Sequence, residues 1–145
     1  MTFWYRRALS KYADFTGRAR RSEYWYFTLF NLLVVIGSIA IGGGAVGFYG
    51  DGLGLSIFWA VYGFVCLYGL AMFIPSLAVS VRRLHDTGRS GWWYLLTFVP
   101  FGSLVLLYFF VVEGDYGPNA YGSDPKDPDD LDARIDELYD DGGAY

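Results

Sequence analysis

Charged residues are missing from three long stretches of this 145-residue chain, which cover 24–50, 52–81 and 90–112. Only 18% of all residues are charged, whereas 54% are hydrophobic and 21% are aromatic. A soluble domain carries more charge, about 25% of its residues, and buries most of its large apolar side chains. The missing charge therefore argues against a soluble globular domain. It predicts an all-α integral membrane protein, because backbone in lipid must satisfy its hydrogen bonds internally.

Cysteine and histidine are almost absent, with one copy of each at Cys66 and His85. A single cysteine cannot form an intrachain disulfide, and in an apolar run it packs as a small hydrophobic residue. A zinc site takes three or four ligands from His, Cys and carboxylates, which these two distant residues do not supply. We therefore expect no metal, no cofactor, no catalytic residues and no nucleic-acid partner. A lipid enzyme built on His85 and Asp86 is the alternative.

The uncharged runs predict about three transmembrane helices, over 24–41, 53–81 and 92–112. These helices would be about 27, 43 and 31 Å long at 1.5 Å per residue, against a hydrocarbon core of about 30 Å. The second is too long to cross upright, and Pro75 is the expected site of a kink. Pro100 lies inside the third run. There the default interpretation is a kinked span, and the alternative is a re-entrant hairpin that returns the C-terminus to the side it came from.

The segments that flank these runs predict three further features. Residues 1–23 are basic and aromatic on opposite helical faces, which is typical of an amphipathic helix lying on the membrane surface, although such a helix can also pack on its own protein. The glycine-rich stretch 42–52 predicts a flexible loop. Residues 113–145 hold eleven of the fifteen acidic residues and predict a largely disordered tail, with one short helix over 131–139.

The distribution of lysine and arginine predicts the orientation in the membrane. Residues 1–23 carry six of them, 42–52 none, 82–91 three and the last 33 residues two. Short basic loops stay in the cytoplasm. With three spans, the N-terminus is cytoplasmic and the C-terminal tail lies outside.

Two charged segments are expected to meet at the cytoplasmic face, one before the first span and one after the second. Their arginines outnumber their carboxylates, and this surplus suits lipid phosphate, which arginine binds through two parallel hydrogen bonds. The same residues can instead pair with one another, or serve only to set the topology. The candidate residues are Arg18, Arg20, Arg21, Glu23, Arg82, Arg83, His85, Asp86 and Arg89.

Three sequence motifs resemble those of the small prokaryotic membrane proteins grouped as domain of unknown function 805. Residues 17–25 read Gly-Arg-Ala-Arg-Arg-Ser-Glu-Tyr-Trp, and residues 82–93 read Arg-Arg-Leu-His-Asp-Thr-Gly-Arg-Ser-Gly-Trp-Trp. Residues 118–125, Pro-Asn-Ala-Tyr-Gly-Ser-Asp-Pro, are similar to the ending of that family. The resemblance implies a multi-pass protein of the cell membrane and no established activity. The aspartate-rich extension 126–145 departs from the family pattern.

Taken together, the residues favour a non-enzymatic membrane component whose cytoplasmic arginine cluster engages anionic lipid or a partner subunit. Three short spans bury little of one another, so a homo-oligomer or a membrane protein partner is also expected. The alternative is a small oligomeric transporter or channel. Against that alternative, the predicted spans hold no charged residue, and such residues usually mark ion paths.

Overall fold

The computed structural model of the chain describes residues 2–126, and this part of the protein is helical. An isolated bridge between Asn119 and Gly122 is its only β pairing, which confirms the all-α class for these residues. The elements are α1 Thr2–Ser10, α2 Arg21–Tyr49, α3 Leu53–Asp86, a 3₁₀ helix Gly91–Phe98 and α4 Gly102–Val111. The expected helix at 131–139 lies outside the described residues.

Helices α2 and α3 form an antiparallel pair and are the two helices long and apolar enough to cross a membrane. Phe27 packs with Val79 near one end, and the Tyr68 hydroxyl donates a 2.6 Å hydrogen bond to the Asn31 side chain farther along. Only 6% of the most apolar window of α2 and 22% of that of α3 are buried. A core helix of a soluble protein would be mostly buried, so these apolar faces suit lipid.

The glycine-rich stretch is helical almost to its end, so the prediction of a flexible loop over 42–52 is wrong. Helix α2 continues to Tyr49, and the turn to α3 needs only Gly50 to Gly52. A Cβ on Gly54 would lie 2.7 Å from the Ala45 carbonyl oxygen, so the two helices approach backbone to backbone here. In lipid, a helix is retained through glycine because unpaired backbone groups would be costly.

Helix α1 packs on the rest of the protein through the apolar face that the sequence assigned to the membrane. Ala8 is fully buried in a cluster with Phe27 and Val79, and Tyr5 stacks on Phe27 with ring centroids 5.6 Å apart. The alternative interpretation, a helix packed on its own protein, is therefore correct for this face. Arg6 remains exposed on the opposite side.

The third apolar run is a hairpin, and the prediction of one helix over 92–112 is wrong. The 3₁₀ helix ends at Phe98, the chain reverses, and α4 returns beside it, so that Trp93 lies against Phe109 with ring centroids 5.5 Å apart. Phe101 turns the chain with a left-handed backbone, φ 64°. A Cβ on Gly102 would collide with the Leu96 carbonyl, so close packing requires glycine there.

The left-handed backbone at Phe101 predicts that Phe101→Gly raises stability. An L-residue in this conformation costs about 1–2 kcal/mol, which glycine does not incur. Phe98 is the matched control, because Phe98 and Phe101 are each 81% exposed but only Phe101 has positive φ. We expect the thermal midpoint in mild detergent to rise for Phe101→Gly and to fall for Phe98→Gly. Equal falls would contradict the strained turn.

Candidate functional site

The most distinctive feature of the structure is a cluster of buried charges where α2 begins and α3 ends. The antiparallel pair brings the positive end of the α2 dipole beside the negative end of the α3 dipole. Glu23 lies in the first turn of α2, and Arg83 in the last turn of α3, as these dipoles favour. Five charged side chains in this region are at most 5% exposed: Arg18, Glu23, Arg82, Arg83 and Asp86.

Glu23 and Arg82 form the ion pair that joins α2 to α3. Arg82 Nη1 donates to Glu23 Oε1 at 2.9 Å, and both side chains are at most 2% exposed. Arg7 of α1 approaches the other Glu23 oxygen at 3.8 Å, so α1 shares this carboxylate. The backbone of Arg82 also joins α3 to the segment before α2, because the Arg82 carbonyl accepts a hydrogen bond from the Ala19 amide at 3.0 Å. Arg82 Nε and Nη2 are buried without an acceptor in the described residues, so this guanidinium relies on Glu23 alone for its direct charge pairing.

Asp86 receives two buried guanidinium groups from opposite sides. Arg18 Nε donates to Oδ1 at 3.0 Å, and Arg83 Nη1 donates to Oδ2. One carboxylate thus ties the segment before α2 to the last turn of α3. The two cationic partners favour the charged form of this carboxylate, and they oppose the effect of its burial, which favours the neutral form.

Arg83, Arg21 and Trp25 cap the C-terminal end of α4. Arg83 Nε donates to the Phe110 carbonyl at 3.4 Å, and Arg83 Nη2 donates to the Val112 carbonyl. Arg21 donates to the Val111 carbonyl at 3.1 Å, and the Trp25 indole donates to the Phe110 carbonyl at 3.2 Å. The last carbonyls of a helix have no intrahelical donor and attract cations, so this cap holds α4 against the cluster.

Residues 113–126 form an ordered strap across the cluster, which corrects the prediction of disorder for that part of the tail. The Asp115 amide donates to the Asp86 carbonyl at 2.8 Å, and Arg18 donates to the carbonyls of Asp115 and Gly117. The Asn119 side chain donates to the His85 carbonyl at 2.9 Å. Arg20 donates to the Pro125 carbonyl, and Lys126 pairs with Glu113.

His85 has a structural position in this strap. Its ring stacks on Tyr121, with centroids 3.9 Å apart and planes 4° from parallel, and its Nδ1 lies 3.2 Å from the Gly17 carbonyl oxygen. Asp86 is engaged by two arginines. His85 and Asp86 therefore lack the open, convergent arrangement of an acid–base site. Among residues 2–126, no three metal-ligating side chains come together.

The structure thus brings together five of the predicted site residues in one buried cluster and leaves the others at its edge. Arg20 and Arg21 reach the strap and the end of α4, while Arg89 is exposed and lies over the rings of Trp93 and Phe109 at 5.4 and 5.3 Å. Arg20 and Arg21, which belong to the predicted surplus of positive charge, donate to backbone carbonyls. Sequence reasoning missed the contributions of Arg7, Trp25, Asn119 and Tyr121, and Asn119 and Tyr121 belong to the 118–125 motif quoted for the family resemblance.

These features define an all-α membrane protein with two long apolar helices, an apolar hairpin after them and a buried charged cluster at one end. The chain belongs to the family described as "Protein of unknown function (DUF805)", which matches residues 12–123. It is 50% identical to the inner membrane protein YhaI of Escherichia coli K12 over 124 residues, covering 85% of this chain and 95% of the relative. It is 41% identical to the E. coli K12 inner membrane protein YhaH over 128 residues, with 85% and 96% coverage. No solved structure gives a significant match.

The cluster predicts that Asp86→Asn is strongly destabilising. The variant leaves Arg18 and Arg83 buried beside a neutral side chain, and breaking a buried pair in this way costs about 3–5 kcal/mol. The matched control is Glu113→Gln, which removes a carboxylate from Arg21 where both side chains are about 40% exposed. Exposed pairs contribute about 0–1 kcal/mol. Thermal unfolding in mild detergent should separate the two, and similar losses would contradict the assignment.

Proposed function

We propose that this chain is a non-enzymatic component of the prokaryotic inner membrane, with an internally neutralised cluster that fixes the cytoplasmic ends of its two spans. The observation that supports this proposal most strongly is the burial of three arginines against Glu23, Asp86 and the carbonyls at and beyond the end of α4. Apart from Nε and Nη2 of Arg82, the nitrogen atoms of these guanidinium groups already have acceptors, so they hold the fold together and are poorly placed to receive a lipid phosphate.

We infer that the N-terminus, the charged cluster and the strap all face the cytoplasm. Residues 1–23 and 82–91 together carry nine of the eleven Lys and Arg residues, and the turn between α2 and α3 carries none. The positive-inside rule then sets the cluster inside. The hairpin supports an inside position for residues 113–126 as well, in place of the outside position expected from three spans.

In this proposal, anionic lipid contacts the exposed residues at the rim of the cluster. Arg89 is exposed beside Trp92, which is 77% exposed, and its guanidinium lies over Trp93 and Phe109. Trp is enriched at membrane–water interfaces, and an arginine there is attracted to anionic headgroups by about 1 kcal/mol. Arg6 on the exposed side of α1 supplies a second cation.

The transporter or channel alternative, and an association with a partner subunit, both stay predictions. The outward apolar faces of α2 and α3 are compatible with lipid and with another helix.

The proposed orientation predicts the behaviour of reporter fusions. Green fluorescent protein, which folds only in the cytoplasm, should fluoresce when fused after Lys126 or after Tyr145. Alkaline phosphatase, which is active only outside, should be active when inserted in the turn at Gly50 to Gly52. Activity of alkaline phosphatase fused after Lys126 would indicate a third membrane crossing and would contradict this orientation.

The proposed lipid contact predicts that Arg89→Ala retains less anionic lipid. Loss of about 1 kcal/mol corresponds to roughly a fivefold weaker association. Native mass spectrometry of protein extracted from phosphatidylglycerol-rich membranes measures the retained lipid. Arg89→Lys is the control, because it keeps the charge, and it should retain most of the lipid. Unchanged retention in Arg89→Ala would refute this contact.

A further inference from the structure

A cavity of about 260 Å³, open to the outside of the protein, lies where α2, α3, the 3₁₀ helix and α4 meet, and the side chains of Thr97 and Ser103 are exposed in its lining. Its lining combines five hydroxyl-bearing side chains with two leucines and a phenylalanine, and it includes no charged residue. The hydroxyl groups belong to Tyr24, Ser80, Tyr94, Thr97 and Ser103. Pockets that bind amphipathic molecules combine an apolar wall with a few placed polar groups in this way.

Three of these hydroxyl groups have unused hydrogen-bonding capacity. Ser38 on α2, and Ser56 and Ser80 on α3, each donate to the carbonyl four residues earlier, which is how a hydroxyl is satisfied within a membrane helix. Within residues 2–126, the hydroxyl groups of Tyr94, Thr97 and Ser103 donate no hydrogen bond to a backbone carbonyl. They remain able to donate to an acceptor in the cavity. In an apolar surrounding, an unsatisfied hydroxyl carries a free-energy cost that a ligand oxygen would remove.

The position of the cavity along α4 indicates how deep it lies in the bilayer. Phe110, at its upper end, has its carbonyl in the arginine layer, where Arg83 and Trp25 donate to it. Ser103 precedes Phe110 by seven residues, about 10 Å along the helix. The cavity therefore runs from the level of the arginines to about 10 Å below it, the depth at which headgroups give way to glycerol esters and acyl chains.

The charge of the surroundings selects among lipids. The buried guanidinium of Arg83 donates to the carbonyl of the lining residue Phe110, and each of its three nitrogen atoms already has an acceptor in Asp86 or in the carbonyls of Phe110 and Val112. A phosphate in the cavity would meet no charged side chain in its lining. It would be desolvated at a large cost. Hydroxyl and ester oxygens carry no such cost and accept hydrogen bonds from Tyr94, Thr97 and Ser103.

We propose that this cavity binds the glycerol region of an uncharged membrane lipid of the diacylglycerol class, with the ester oxygens on the three open hydroxyl groups and the acyl chains running out into the bilayer. The volume of about 260 Å³ suits a glycerol with its two ester groups. The lining of this site does not include Arg89, so different variants test the two sites.

The test uses the full chain in phosphatidylcholine nanodiscs that contain a photocrosslinkable diacylglycerol, with crosslinked peptides mapped by mass spectrometry. Crosslinks should concentrate in residues 94–107. Thr97→Val with Ser103→Ala removes two donors at nearly constant volume and should lower the yield about tenfold. Ser38→Ala, which removes a hydroxyl satisfied by its own helix, is the control and should leave the yield unchanged. Thermal unfolding confirms that each variant is folded.

Two results would overturn the proposal. The first is crosslinking spread evenly over α2 and α3, or crosslinking that the Thr97 and Ser103 changes do not reduce. The second is a phosphatidylglycerol probe with the same photoreactive chain that labels 94–107 as strongly and loses as much in the double variant, because the site would then not discriminate against charge. Should the double variant not fold, Leu107→Trp, which fills the cavity, must reduce diacylglycerol labelling or the proposal fails.

Discussion

Burial of guanidinium groups at one end of a membrane protein is the constraint on which the rest of this structure depends. A buried arginine loses its water and requires acceptors for a planar array of donors that stays charged at any physiological pH. Glu23 and Asp86 supply charge, and the carbonyls of Phe110 and Val112 supply further acceptors. The donors and acceptors come from α1, the segment before α2, the start of α2, the end of α3 and residues 110–117, so that the charges can be buried only when all these parts are assembled.

This requirement gives a physical reason for the hairpin and the strap. If residues 92–112 crossed the membrane, the carbonyls of Phe110 to Val112 would lie on the far side, and Arg83 would lose two of its acceptors. The turn at Phe101 accepts a left-handed backbone to bring them back. Gly114 allows the strap to pass over Asp86, since a Cβ there would clash with its carboxylate. The left-handed backbone at Phe101 and the glycine at position 114 both allow the same cluster to form.

Much of this could be predicted from the sequence, because composition and the length of the apolar runs are strong signals in a membrane protein. The helical class, the places where α2 and α3 begin, and the meeting of the 18–23 and 82–89 segments all follow from charge segregation. The hairpin could not be predicted from the sequence, because Pro100 is compatible with both a kinked helix and a chain reversal. Only the distant donors on Arg83 and Arg21 distinguish these two structures. Arginines whose acceptors are main-chain carbonyls leave no mark in the pattern of acidic residues, so the apparent surplus suggested a ligand. The stretch over 42–52 was misassigned because glycine propensity in water does not apply in lipid.

The most direct test of the central claim is a double-mutant cycle on Glu23 and Arg82, measured as the free energy of unfolding in mixed micelles. Each single change, Glu23→Gln or Arg82→Met, should cost about 3–5 kcal/mol because it leaves the other partner buried without its counterpart. The double variant should then cost clearly less than the two singles added together, with a coupling of about 1 kcal/mol or more. Additive losses, or losses below about 1 kcal/mol, would contradict the account, since the pair would then behave like an exposed one and the fold would not depend on the buried cluster.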